Sequence, residues 1–261
     1  MFVNWLLEAY KFKFLLKNIS KITIYQSFKA VFAGVTASIF TPKRIGDFAG
    51  RIFILQPEHR VQGTFATLIG SLSQLIVTVT SGLFLLLFYK NNITNNDFFS
   101  NTFIYVITIV IDIFLIIIYL NIDKLEWLLY KFSFFRKYSE FINFIKKYRT
   151  DDLLLVLFVG FLRYAVFTLQ FYILLIIFDV DISYFMAITA IGVIYLITTG
   201  IPTVALGELS IRGSVAVMVF EPFTQGIFGV VEASVLLWFI NLAIPALFGA
   251  YFLALNKKTK I

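Results

Sequence analysis

The chain has 261 residues, 60% of them hydrophobic and 14% charged, with a net charge of +7 and no cysteine. A mean hydropathy of +0.89 lies outside the range of a soluble domain and inside that of a polytopic membrane protein. Disulfides, thiol nucleophiles and thiolate metal sites are excluded, and the longest polar interval, residues 121–152, is too short to bury a catalytic core of its own.

The opening "MFVNWLLEAYKFKFLLK" is interrupted by Glu8, Lys11 and Lys13 and lacks a small-residue cleavage site, so it does not read as a signal peptide. Residues 1–20 are expected to form an amphipathic interfacial helix, with Trp5 as anchor and its lysines toward headgroups. A partly buried helix of a bundle is the competing reading. The single His59, beside Pro57 and Glu58, reads as a solvated loop residue, and neither a metal nor a cofactor is expected.

Four stretches carry the roughly 20 apolar residues that a bilayer core requires: Thr64–Tyr89, Thr102–Leu120, Leu153–Phe178 and Ile227–Leu255. The interval 121–152 holds seven Lys and Arg and the tail reads "NKKTK", so both are expected to be cytoplasmic by the positive-inside rule. Residues 90–100 and "FDVDIS" are poor in Lys and Arg and are expected to face outward. Ile22–Phe40 then has basic flanks on both sides, and the segment from Tyr184 to Phe220 must begin and end outside. A segment with both ends on one face does not cross. The sequence therefore predicts an all-α, polytopic fold with two inverted, Pro/Gly-broken re-entrant hairpins, at 22–56 and 183–221, within a single membrane domain.

Each hairpin carries a variant of one motif, "TPKRIGDFAGR" at 41–51 and "IPTVALGELSIR" at 201–212. Proline ends a helical ladder and glycine allows close backbone approach, so Thr41, Pro42 and Gly46, and Pro202, Gly207 and Gly213, are the expected structural breaks. Thr41 and Pro42 suit the N-cap and first position of a short helix. Interrupted segments in corresponding places of two halves are the sequence mark of a midplane site in inverted-repeat transporters. Asp47 with Arg51, and Glu208 with Arg212, are i,i+4 pairs in the favourable order. Either each pair neutralises itself for burial, or an anionic headgroup competes for the guanidinium, which grips phosphate in a fork. Arg44 and Arg163 join them as candidate substrate-binding residues, since ionisable groups inside a membrane segment default to function. A structural tie between Arg163 and Asp112 is the alternative for that pair. Glu232, Asn241, Ser71, Ser73 and Gln74 are expected to make interhelical hydrogen bonds.

The stretches "LLEAYKFKFLL", "FKAVFAGVTASIFTPKRIGDFAGRIFIL", "GSLSQLIVTVTSGL" and "IPTVALGELSIRGSVAVMVF" resemble the flippase-like membrane domain of the lysylphosphatidylglycerol synthase transmembrane family. The family pattern is Thr-Pro-x-x-x-Gly-Glu, then a later Pro with Gly and an Arg-Glu or Arg-Gly step. Here Asp47 replaces the Glu, and Gly213 follows Arg212. The resemblance implies a helical bundle with two re-entrant elements that moves or presents a lipid across the cytoplasmic (inner) membrane. It also implies a short form, because family members often carry more helix at the N-terminus. Aminoacyl transfer is not expected to come with the resemblance, because no soluble aminoacyltransferase domain is present, and fold-level likeness alone does not fix a substrate. The leading expectation is a flippase-like transporter, not an enzyme, for a phospholipid or a polyprenyl-phosphate-type lipid. A non-transporting subunit that binds lipid or scaffolds a partner enzyme is the alternative, and a lipid-modifying enzyme ranks last. A homo-oligomer or a partner membrane enzyme is compatible with either of the first two. No nucleic-acid partner is expected, and without a GxxxxGK[ST] motif any transport runs downhill or on a gradient.

Overall fold

A computed structural model describes residues 1–41, 45–53, 55–93, 98–121, 124, 144, 146–203 and 205–258. Among them every regular element is helical: α1 (Phe2–Leu15), α2 (Ile24–Ile39), α3 (Gly46–Phe53), α4 (Arg60–Ile93), α5 (Phe98–Leu120), α6 (Thr150–Ile177), α7 (Tyr184–Gly200), α8 (Ala205–Phe220), α9 (Ile227–Trp238) and α10 (Ile244–Lys258). Most of the basic interval 121–152 lies outside the described residues.

Local chemistry sets the boundaries. Thr23 Oγ1 accepts from the Gln26 amide at 3.2 Å while Gln26 Oε1 accepts from the Thr23 amide at 2.8 Å, a reciprocal cap that starts α2. Ser183 Oγ accepts from the Met186 amide and starts α7. Asp179, at φ 52°, turns the chain out of α6; an Asp tolerates this left-handed conformation better than most residues. The four stretches read as crossing spans are helical, and among the described residues three helical runs, Pro57–Tyr89, Thr150–Ile177 and Ile227–Leu255, are long and apolar enough to cross a membrane. The last contains a π-helical turn at Phe239–Ala243, just before Pro245, the kind of local widening common at functional sites.

Of the two readings of residues 1–20, the structure has the bundle helix. Asn4, Trp5, Glu8 and Lys11 are all buried, and α1 packs on α2, α4 and α6. Lys11 is turned inward and donates to the Gly70 carbonyl at 3.1 Å. A polar stripe with helical period serves headgroups or buried partners equally well, and here the partners are present.

The fold repeats itself. The segment α1–α4 and the segment α6–α10 each run helix, hairpin, long helix, and each long helix packs on the other segment's hairpin, α4 on α7 and α10 on α2. Both crossings are made at a glycine. A Cβ on Gly82 would lie 2.7 Å from Leu196 Cβ and 3.1 Å from the Gly192 oxygen, and one on Gly249 would lie 2.0 Å from the Phe32 oxygen and 2.3 Å from Thr36 Oγ1. With Pro42 and Pro202 in register, Phe32 falls on Gly192 and Thr36 on Leu196. The two glycines thus meet the same places on the two hairpins.

Candidate functional site

The hairpins converge on one cavity of about 450 Å³. Asp47 and Arg51 reach it from α3, Glu208 and Arg212 from α8, and Arg163 from α6. Five of the six residues singled out for substrate binding are thereby brought together. Arg44 and Pro42 lie outside the described residues.

The break residues divide. Thr41 Oγ1 accepts from the Gly46 amide at 2.7 Å, so it caps the first residue of the described α3 across the break. Gly46 is required there, because a Cβ would sit 2.1 Å from the Ala37 carbonyl oxygen. Pro202 lies in the gap between α7 and α8 and lines a second cavity of about 530 Å³ that shares Thr198, Thr199, Glu208 and Arg212 with the first. Gly207 and Gly213 lie within α8, so neither breaks the chain.

Repetition extends to the lining. Trp5 matches Tyr164, Val35 matches Tyr195, Arg51 matches Arg212 and Gln74 matches Asn241, all of them facing the cavity. The spacing between paired positions grows steadily along the chain, from 159 to 160, 161 and 167 residues. In this register Ser38 pairs with Thr198, Ser71 with Trp238 and Glu8 with Phe167, again all lining residues.

Glu8 is the charge centre of the first repeat. Its carboxylate meets Arg51 Nη1 at 2.7 Å, Lys11 Nζ at 2.9 Å, and Arg163 Nη1. Arg51 is also held in a fork by Asp47, with Nε to Oδ1 at 2.8 Å and Nη2 to Oδ2 at 2.8 Å. Arg163 adds hydrogen bonds to Asn4 Oδ1 at 2.9 Å and Gln74 Oε1 at 3.1 Å. Its partners are therefore not Asp112, whose Oδ1 is buried without a hydrogen bond on α5. In the second repeat, Arg212 Nε donates to Glu208 Oε1 at 2.8 Å. Among the described residues, four cations and three carboxylates line the cavity, an excess of one positive charge.

Glu8, Lys11 and Asn4 belong to this buried cluster and were not among the expected binding residues. Their spacing on one face of α1, with Trp5, was the available signal. Gln74 makes the expected interhelical bonds, accepting from Arg163 and donating to the Gly160 carbonyl at 3.4 Å. Ser73 and Asn241 bond to carbonyls within their own helical runs, those of Gly70 and Leu237.

A family model described as the lysylphosphatidylglycerol synthase TM region matches residues 1–255. No curated protein and no solved structure matches the chain. The matched region takes in both hairpins, both long helices and every residue of the cavity. An all-helical membrane protein with a charged central cavity, the chain belongs to the lysylphosphatidylglycerol synthase transmembrane family.

Proposed function

We propose that the protein is a flippase-like transporter that moves an anionic, phosphate-bearing lipid across the cytoplasmic membrane, without itself transforming that lipid. A phospholipid or a polyprenyl-phosphate-type lipid fits this description. The two hairpins re-enter the membrane from opposite faces, and the C-terminus is cytoplasmic. One observation carries the reading: a single cavity reaches both motif arginines, and its described lining residues hold more positive than negative charge. A headgroup crossing hydrocarbon must shed water, and fixed guanidinium groups lining the cavity offset that loss. Each acid holds its arginine while the site is empty, and the pair that meets the phosphate opens as it arrives. Membership of a family whose described region belongs to a lipid synthase supports a lipid-related role.

The test is lipid movement in proteoliposomes, using chain-labelled phosphatidylglycerol and an externally added quencher. The wild type is expected to expose the inner-leaflet label, and the combined Arg51→Ala and Arg212→Ala variant is not. If neither protein moves the label while both bind it equally, a scaffold that serves a partner enzyme or a second copy replaces the transporter.

A further inference from the structure

The repeat that builds the cavity is broken at one charged position. Glu8 in the first repeat matches Phe167 in the second. Arg51 consequently has two carboxylate partners, Asp47 and Glu8. Among the described residues Arg212 pairs with one, Glu208. The side chain of Arg51 is 9% exposed and that of Arg212 is 25% exposed.

Backbone packing has the same asymmetry. In hairpin α2–α3 a Cβ on Gly50 would lie 2.3 Å from the Ala33 oxygen and 2.6 Å from Gly34 Cα, so the helices touch backbone to backbone. In hairpin α7–α8 the matching positions are Ile194 and Ile211, whose branched side chains do not allow that approach. The cavity of about 530 Å³ lies at this second break, beside exposed Thr199 and Gly200. At the first break, Ser38, which matches Thr198, is buried.

We propose that the two motif arginines are not equivalent, and that Arg212, with the Thr199 hydroxyl, receives the lipid phosphate through the gap in hairpin α7–α8. Arg51 stays in the Glu8 cluster as a positioning residue. This inference rests on the transport reading and assigns its anion site. To capture an anion, Arg51 must give up Asp47, which holds its fork, or Glu8, which also carries Lys11 and Arg163. That exchange would place a second negative group beside a buried carboxylate with three cations to share. Arg212 gives up one bond of a partly exposed pair, next to a cavity already open to a headgroup. Phosphate is the fitting ligand because a guanidinium offers two parallel donors and Thr199, on the lining of the same cavity, offers a hydroxyl as a third.

Calorimetric titration of the detergent-purified chain with dihexanoyl phosphatidic acid tests this. Arg212→Lys keeps the charge and loses the fork, and is expected to weaken binding about tenfold. Arg51→Lys, judged only at unchanged melting temperature, is expected to stay within about twofold. Phe167→Glu supplies the missing carboxylate and is expected to weaken binding with Arg212 intact. Equal losses from the two Arg→Lys variants, or a larger loss from Arg51→Lys, overturn the inference and leave transport standing. If Arg51→Lys does not fold, undiminished binding by Arg212→Lys overturns it alone. Absence of wild-type binding to the lipid overturns both readings. Inorganic phosphate is the second probe. If it binds and is lost with Arg212→Lys, the site recognises bare phosphate; if only the lipid binds, glycerol contacts contribute as well, and Arg212 is the anion residue in either case.

Discussion

Hairpin α2–α3 brings Gly34 and Gly50 to backbone contact and ties its arginine to two carboxylates. Hairpin α7–α8, built on the same Pro, Gly, acid and Arg, has Ile194 and Ile211 at the matching positions and ties its arginine to one. The difference teaches that a repeated motif fixes where charges stand, while its neighbours decide whether they are free to act. The first hairpin is closed and its guanidinium doubly paired; the second is open, and its guanidinium reaches the second cavity as well as the shared one.

Four variants break or sharpen this contrast. The largest effect is expected from Glu8→Ala, which leaves Lys11, Arg51 and Arg163 mutually repelling in a buried cluster. Losing one side of a buried ion pair costs about 3–5 kcal/mol, and denaturant unfolding in detergent should show at least that. Gly50→Ile gives the first hairpin the residue of the second and forces α3 away from Ala33. A loss of roughly 1–3 kcal/mol is expected for such overpacking, with increased solvent access to Arg51 measurable by hydrogen exchange of α3. Gly213→Ala should act in the other direction. Its Cβ would meet nothing within 4 Å inside α8, so a gain of about 0.4–1 kcal/mol is expected from the helix alone. The smallest stability change belongs to the double change Arg212→Gln and Glu208→Gln. An i,i+4 pair contributes about 0.2–0.5 kcal/mol, so the melting curve should hardly move while anion binding is lost.

Much of the fold was legible because its signals are local. Pro and Gly carry the same backbone meaning in any surrounding, so both hairpin breaks, with Thr41, Gly46 and Pro202, could be placed from neighbours in sequence. Acid–Arg spacing likewise announced both pairs, and they stand where one cavity collects them. Helix α1 was less legible. Asn4, Glu8 and Lys11 mark a polar face, but that face is the same whether it meets headgroups or Arg163, which lies 155 residues along the chain from Glu8. Only the packing of α1 on α6 distinguishes the two. The inequivalence of the hairpins was hidden for a related reason. Gly34 and Ile194 become comparable positions only when the Gly82 and Gly249 crossings set the register between repeats.

The exchange of long helices also orders events during synthesis. The face of α2 that receives Gly249 is complete at Ile39, but α10 begins at Ile244, about 200 residues later. At a translation rate of ~5–20 residues per second, that interval lasts roughly 10–40 s. Throughout it, the side of Phe32 and Thr36 that meets α10 has no native cover in the nascent chain. The first half must therefore be sheltered by the insertion machinery, or by lipid, until the last helix is released. A stop codon placed just after α9 would strand it, although every residue of the first repeat had already been made.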